Sequence, residues 1–272
     1  MKAISFEFHR PDSLAEASDI LVRYDGDARV LAGGQSLMPM LNLRLVRPAA
    51  IIDLSGLAEL KTIEVSATEV SVGALVTHSA LEFSRESGVT FDLLRYVAAG
   101  IAYRGVRNRG TMGGSLAHAD PAADWPSCLL TLDARVTISG PDGTRQMPIS
   151  DFIVGNFTVA LRPGEILTRI HIPLLNSEAK WGYYKHARKV GEFAEAIGCV
   201  IDDDARGIFR VVAGAMSAPS VVLPGLTKDR QQIITLADVR HALEEAAPSV
   251  EGRHIHFHAV AVMRALQLGV RP

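Results

Sequence analysis

"NRGTMGGSLAHADPAADWP", Asn108–Pro126, contains Gly110, Gly113 and Gly114, with Thr111 and Ser115 around the Gly-Gly pair and Asp120 and Asp124 beyond it. It carries no hydrophobic period of two or of 3.6, so it reads as neither an ordinary strand nor an ordinary helix. A second Gly-Gly pair stands in "VLAGGQSL", Val30–Leu37, where the apolar run "ARVLA" stops at Gly33-Gly34 and Gln35 and Ser36 follow. Glycine lets backbone approach a ligand and admits φ > 0, which turns successive N–H groups inward as an anion nest. The first loop is therefore either a phosphate site or a plain strand-to-helix turn. A diphosphate has oxygens on two phosphorus atoms, so two such loops from different elements can clamp it. The other reading is two unrelated surface turns.

Known phosphate fingerprints do not fit. A G-x-G-x-x-G pattern would need glycines where Gln35 and Met38 stand, although Asp53 lies at a strand end about 20 residues on. No Gly-Lys-Ser/Thr follows either Gly-Gly pair. His118, Asp120 and Asp124 resemble metal ligands, but Pro121 is expected to start a helix with Asp120 as its N-cap and Asp124 in its first turn. In that reading Asp124 is free to accept a bond from a sugar or flavin ring. His254, His256 and His258 alternate in "RHIHFH", which suits zinc on a strand but leads here into a helical run. "DDDARG", Asp202–Gly207, reads as a charged hairpin turn rather than a calcium loop. Lys185, Arg188 and Lys189 in "KHARKVGEF" suit a solvated strand end.

Outward from these loops, "SLAEASDILVRY" has helical spacing, with Ser13 as N-cap and Leu14, Ala17, Ile20, Leu21 and Tyr24 as the apolar stripe. With "ARVLA" and "AAIIDLS" it predicts a small parallel sheet. "KTIEVSATEVSVGALV" predicts a hairpin. Helices are expected near 79–85, 91–103 and 122–132. "ARVTISG", "TRQMPI" and "EILTRIHIP" predict antiparallel strands. A boundary is expected at Pro173–Lys180. Beyond it, "WGYYKHARK", "AIGCVID" and "IFRVVAGAMS" predict a second antiparallel sheet, closed by two amphipathic helices.

The bulk numbers narrow the function. The chain has 272 residues, 48% of them hydrophobic, and a net charge of -2, so no nucleic-acid face is expected. Its two cysteines, Cys128 and Cys199, are too few for an iron–sulfur cluster and fit a reducing cytoplasm. No apolar run reaches the roughly 18 residues of a membrane span, and the N-terminus has no signal core. No G-x-S-x-G, H-E-x-x-H or nucleophilic cysteine context occurs. The sequence is built to hold a nucleotide cofactor rather than to attack a substrate.

"AGGQSLMPMLNLRL" and "RNRGTMGGSLAHADPAAD" together resemble the two signature loops of the FAD-binding medium subunit of molybdenum hydroxylases, the carbon monoxide dehydrogenase medium-subunit and xanthine dehydrogenase flavin-domain family. The resemblance runs on through "GEILTRIHIP", "GAMSAPSVV" and the closing helices. It implies an α+β fold: an FAD-binding region of the vanillyl-alcohol-oxidase (PCMH) type over residues 1–176, in subdomains of about 1–55 and 56–176. A C-terminal domain over 177–272 would carry a three-stranded antiparallel sheet and helices. It implies cofactor contacts from Val30, Leu31, Ala32, Gly33, Gly34, Gln35, Ser36 and Leu37, and from Thr111, Met112, Gly113, Gly114 and Ser115, with the diphosphate between the loops. Asp124 matches the family's aspartate, Ile101 and Leu167 match flavin-lining positions, Lys185 a lysine that reaches the cofactor, and Phe193 a residue near the isoalloxazine face. Gln35, Met112 and Ser115 depart from the commoner residues, and Ser115 is shorter than the usual Asn or Asp.

The implied function is an oxidoreductase subunit without a catalytic side chain of its own. A partner subunit would hold molybdopterin and another two 2Fe-2S clusters, in a dimer of heterotrimers, and electrons would pass through FAD to an external acceptor. A stand-alone FAD-dependent oxidoreductase and a non-redox nucleotide-binding module are the competing expectations.

Overall fold

A computed structural model describes residues 2–226, 233–250 and 252–269. The first unit contains β1 (Glu7–His9), α1 (Leu14–Arg23), β2 (Ala28–Leu31), α2 (Leu37–Asn42) and β3 (Ala50–Asp53). The sheet is parallel, in the order β1-β3-β2. Ser13 caps α1 by accepting from the Glu16 amide at 3.1 Å, and Ala17 and Ile20 bury its apolar stripe. Strand β1 was not foreseen, because three residues are too short to show a period. Asp53 is no ribose acceptor: it caps its own turn, accepting from the Ser55 amide at 2.9 Å and hydroxyl at 2.8 Å.

The second unit runs β4 (Ile63–Val65), β5 (Glu69–Gly73), α3 (His78–Glu82), α4 (Val89–Ala99), α5 (Arg104–Arg107), α6 (Met112–His118), α7 (Asp124–Thr131), β6 (Arg135–Gly140), β7 (Gly143–Pro148), α8 (Ile149–Phe152), β8 (Ile153–Gly155), β9 (Thr158–Val159) and β10 (Ile166–Pro173). Its antiparallel sheet has the order β4-β5-β10-β6-β7. Strand β10 alternates buried and half-buried residues over most of its length, as a strand with one face on the core should. Trp125, Phe91 and Phe152 fill the core beneath this sheet and are fully buried. The short hairpin β8–β9 and helix α8 were not foreseen.

The third unit has β11 (Lys180–His186), β12 (Ala196–Asp203), β13 (Ile208–Gly214), β14 (Val221–Val222), α9 (Leu236–Ala246) and α10 (Gly252–Gly269). Three long antiparallel strands match the expected sheet, and the two-residue β14 adds a fourth at the edge. Strand β12 is buried on both faces. Ile197, Cys199 and Ile201 join the core of the second unit, while Val200 faces the core under α9 and α10. The third unit thus docks on the second through continuous apolar packing. His254, His256 and His258 lie inside α10, and no group of metal-ligating side chains occurs among the described residues. The Asp202–Gly207 stretch ends β12 at Asp203 and makes the turn into β13 from Asp204 to Gly207.

Candidate functional site

A cavity of about 600 Å³ opens where the three units meet. The first unit supplies Val30, Ala32, Gly33, Gly34, Gln35, Ser36 and Leu37, and the second supplies Ile101, Thr111, Gly113, Gly114, Ser115, Asp124 and Leu167. The hairpin between β11 and β12 brings Gly191 and Phe193 to the mouth. Leu31, Met112 and Lys185, though expected at the site, do not line this cavity. Leu31 borders a second cavity of about 550 Å³ on the far side of the first loop. The Met112 side chain is fully buried in the core. Lys185 stops short, at Asp124.

The two loops touch through their glycines. A Cβ on Gly33 would run into the carbonyl of Arg109, with the Cα of Gly110 at 2.8 Å. A Cβ on Gly114 would meet Thr111 Oγ1 at 2.8 Å and Ala32 Cβ at 3.3 Å. These glycines therefore serve loop-to-loop contact as well as approach to a ligand. Between them, the amides of Gly33, Gly34, Gln35 and Ser36 donate to no acceptor among the described residues. The Gln35 side chain folds back to the Gly33 carbonyl at 3.2 Å, and Ser36 makes no side-chain cap bond to α2.

The second loop differs from the expected nest. The amides of Met112 and Gly113 donate to Val76 and Ala74 carbonyls, each at 3.0 Å, and Ser115 donates to the Thr111 carbonyl at 3.0 Å. Gly114 donates to Thr111 Oγ1, also at 3.0 Å, which makes Thr111 the N-cap of α6. The stretch is a helix start tied to the chain just past β5, so the Thr111 amide and the two hydroxyls, not the amides of Met112–Ser115, remain for a ligand. The expected helix start at Pro121 is also corrected. Asp120 Oδ1 accepts from the Ala122 amide at 2.9 Å, closing a turn, and α7 begins only at Asp124 with Ala123 as N-cap. The turn follows Ala119, which takes a left-handed φ of 51° and ends α6.

Asp124 is buried, and both its oxygens are engaged by the third unit. Tyr183 Oη donates to Oδ1 at 2.7 Å, and Lys185 Nζ pairs with Oδ2 at 2.9 Å. Lys185 also approaches the Gly100 carbonyl at 3.4 Å. Burial pushes the Asp124 carboxyl up, opposed by the Lys185 charge and by both hydrogen bonds. Tyr183 was missed, yet the signal was present: Tyr183 and Lys185 are two apart on a strand and so share a face. A second carboxylate on the cavity wall held by a cation is Glu165, which Arg145 binds at 2.7 Å through both oxygens.

His78 also lines the cavity and was not foreseen. It is buried, and Trp125 Nε1 donates to its Nδ1 at 3.1 Å. Burial, with the Arg107 charge, lowers its pKa from 6.5 to about 4. Between those two values the unfolded chain binds the proton and the folded chain does not, so stability falls as pH drops through that window. His78 accounts for about 3 kcal/mol of that loss. Urea midpoints measured from pH 7 to pH 4 should therefore fall less steeply in His78→Gln than in the wild type; identical slopes would remove His78 as the cause.

A seam of about 600 Å³ among three units, with unbonded amides on one wall and hydroxyls on the other, defines a nucleotide-cofactor-binding protein. Residues 4–175 match the family model described as the FAD binding domain in molybdopterin dehydrogenase. The chain belongs to that family. It is 38% identical over 194 residues, 71% of this chain and 66% of the relative, to the 6-hydroxypseudooxynicotine dehydrogenase complex subunit alpha of Paenarthrobacter nicotinovorans. It is 36% identical over 196 residues, 72% and 68%, to the carbon monoxide dehydrogenase medium chain of Hydrogenophaga pseudoflava. Among solved structures, carbon monoxide dehydrogenase from Hydrogenophaga pseudoflava lacking the Mo-pyranopterin moiety superposes with a TM-score of 0.90 at 29% identity, covering 99% of this chain and 98% of that one. Quinoline 2-oxidoreductase from Pseudomonas putida 86 superposes with a TM-score of 0.85 at 31% identity, covering 99% and 98%.

Proposed function

We propose that the chain holds FAD in this seam and serves as the electron-transfer subunit of a heteromeric molybdenum hydroxylase. In this reading it takes electrons from 2Fe-2S clusters on a partner and passes them to an external acceptor. The observation that carries it is the pairing of the Gly33–Ser36 amides with the Thr111 and Ser115 hydroxyls across one cavity. Those residues fit a diphosphate, and the apolar side chains of Ile101 and Leu167 fit an aromatic ring. FAD suits such a relay because a flavin exchanges electrons singly or in pairs.

The protein's own groups bind and shield rather than react. Asp124 and Glu165 are tied to Lys185 and Arg145, and Asp120 closes its own turn, so none stands ready as a base toward a substrate. That favours an electron carrier over an enzyme acting directly on a small molecule. The relatives named as a medium chain and as a complex subunit support partner subunits; on this reading one would carry molybdopterin and another the clusters. A dimer of heterotrimers in the cytoplasm is the assembly this reading expects. Among the described residues no helix is long and apolar enough to cross a membrane. Purified full-length chain, alone or with its partners, should show flavin absorbance and release FAD identifiable by mass. Complete absence of flavin from both preparations sinks the reading.

A further inference from the structure

We propose that His78 is a third arm of the clamp, donating its Nε2–H to a diphosphate oxygen held between Gly33–Ser36 and Thr111–Ser115. This rests on the dinucleotide reading above and assigns a residue that neither glycine loop contains.

The argument starts from the tautomer. An indole N–H is only a donor, so the Trp125 bond at 3.1 Å requires an unprotonated Nδ1 on His78. The ring proton then sits on Nε2. Burial keeps the ring neutral well below pH 7. Trp125 is fully buried, so the ring is held in place as well as in tautomer. Nε2 bonds to no described residue, while His78 lines the cavity.

Position supplies the second strand of argument. The His78 amide donates to the Gly110 carbonyl at 2.9 Å. A Cβ on Gly110 would lie 2.8 Å from His78 Nε2, and a Cβ on Gly33 would lie 2.8 Å from Gly110 Cα. His78 Nε2 therefore stands at the junction of the two loops. Need supplies the third. The amides of Met112, Gly113, Gly114 and Ser115 are all consumed inside the protein, so of the backbone donors from Thr111 to Ser115 only the Thr111 amide is left for an anion. A fixed, neutral N–H fills that deficit without a titrating charge at physiological pH.

The test compares His78→Phe with His78→Gln in the full chain. Both variants lose the imidazole, but only Gln keeps an N–H donor. Affinities are measured by calorimetry for FAD, ADP and adenosine. His78→Phe should weaken FAD and ADP alike, by about ten- to a hundredfold, and leave adenosine unchanged. His78→Gln should recover most of the ADP affinity. Unchanged ADP binding in His78→Phe overturns the proposal, as does a loss confined to FAD or a Gln variant no better than Phe. Wild-type chain that binds neither FAD nor ADP is a separate result and refutes the FAD reading itself.

Discussion

Gly33→Ala strips the protein of FAD. The new methyl points at the Arg109 carbonyl and at Gly110, which are backbone and cannot rotate aside. The two loops must separate or one must distort, and close-packed backbone yields only at a cost of kilocalories. Since the loops act as one clamp, affinity should drop on the order of a hundredfold or more. Gly114→Ala offers an internal comparison. Its methyl meets the Thr111 hydroxyl, which can rotate, at 2.8 Å and the Ala32 methyl at 3.3 Å, where a shift of a few tenths of an ångström suffices. A loss of about tenfold is expected there. Flavin content after gel filtration and titration with FAD measure both. Normal flavin in Gly33→Ala would separate the glycine loops from cofactor binding. Far-UV circular dichroism distinguishes that loss from global unfolding, since α1 and β2 pack elsewhere.

Lys185→Met costs about 3 kcal/mol, because removing one partner of a buried ion pair leaves the other uncompensated. The Asp124 side chain is 6% exposed and that of Lys185 15%. At about 2–4 °C per kcal/mol for a chain of this size, the melting temperature should fall by roughly 6–12 °C. Burial already raises the Asp124 pKa, and without Lys185 only hydrogen bonds from the Tyr183 hydroxyl and the backbone oppose it. An acid with a raised folded pKa is stable while protonated and loses stability as pH rises through that pKa. The gap between Lys185→Met and the wild type should therefore widen from pH 5 to pH 8. Asp124→Asn combined with Lys185→Met should recover part of the loss, since no charge is then stranded. Strict additivity of the two single changes would show that the pair is not coupled.

The glycine loops were legible because their information is local: Gly-Gly with Ser or Thr beside it reads the same in sequence and in space. What the second loop does with its amides was not legible. The acceptors of the Met112 and Gly113 amides are Val76 and Ala74, just past β5, and nothing inside Thr111–Ser115 announces them. Asp120-Pro121 imitates a helix cap, and only the turn to Ala122 reveals a later start. Helix α1 and the β4–β5 hairpin were read correctly from period and cap. The strands β1, β14 and β8–β9 escaped because two or three residues cannot show alternation. His78 was invisible as a site residue, since its role follows from burial against Trp125, 47 residues away.

Strand β10 lies between β5 and β6 although it follows both in the chain, and its Arg169 pairs with Gly73. During synthesis β5 and β6 therefore emerge without the strand that joins them. Until residues 166–173 arrive, each presents a row of open backbone groups, a template for wrong pairing. Long-range pairing of this kind is slow, so the nascent chain is at its most aggregation-prone midway through translation. Leu167, which borders the cavity, sits on that same late strand. A chain that stops before residue 166 therefore lacks both the central strand of this sheet and the Leu167 wall of the cavity.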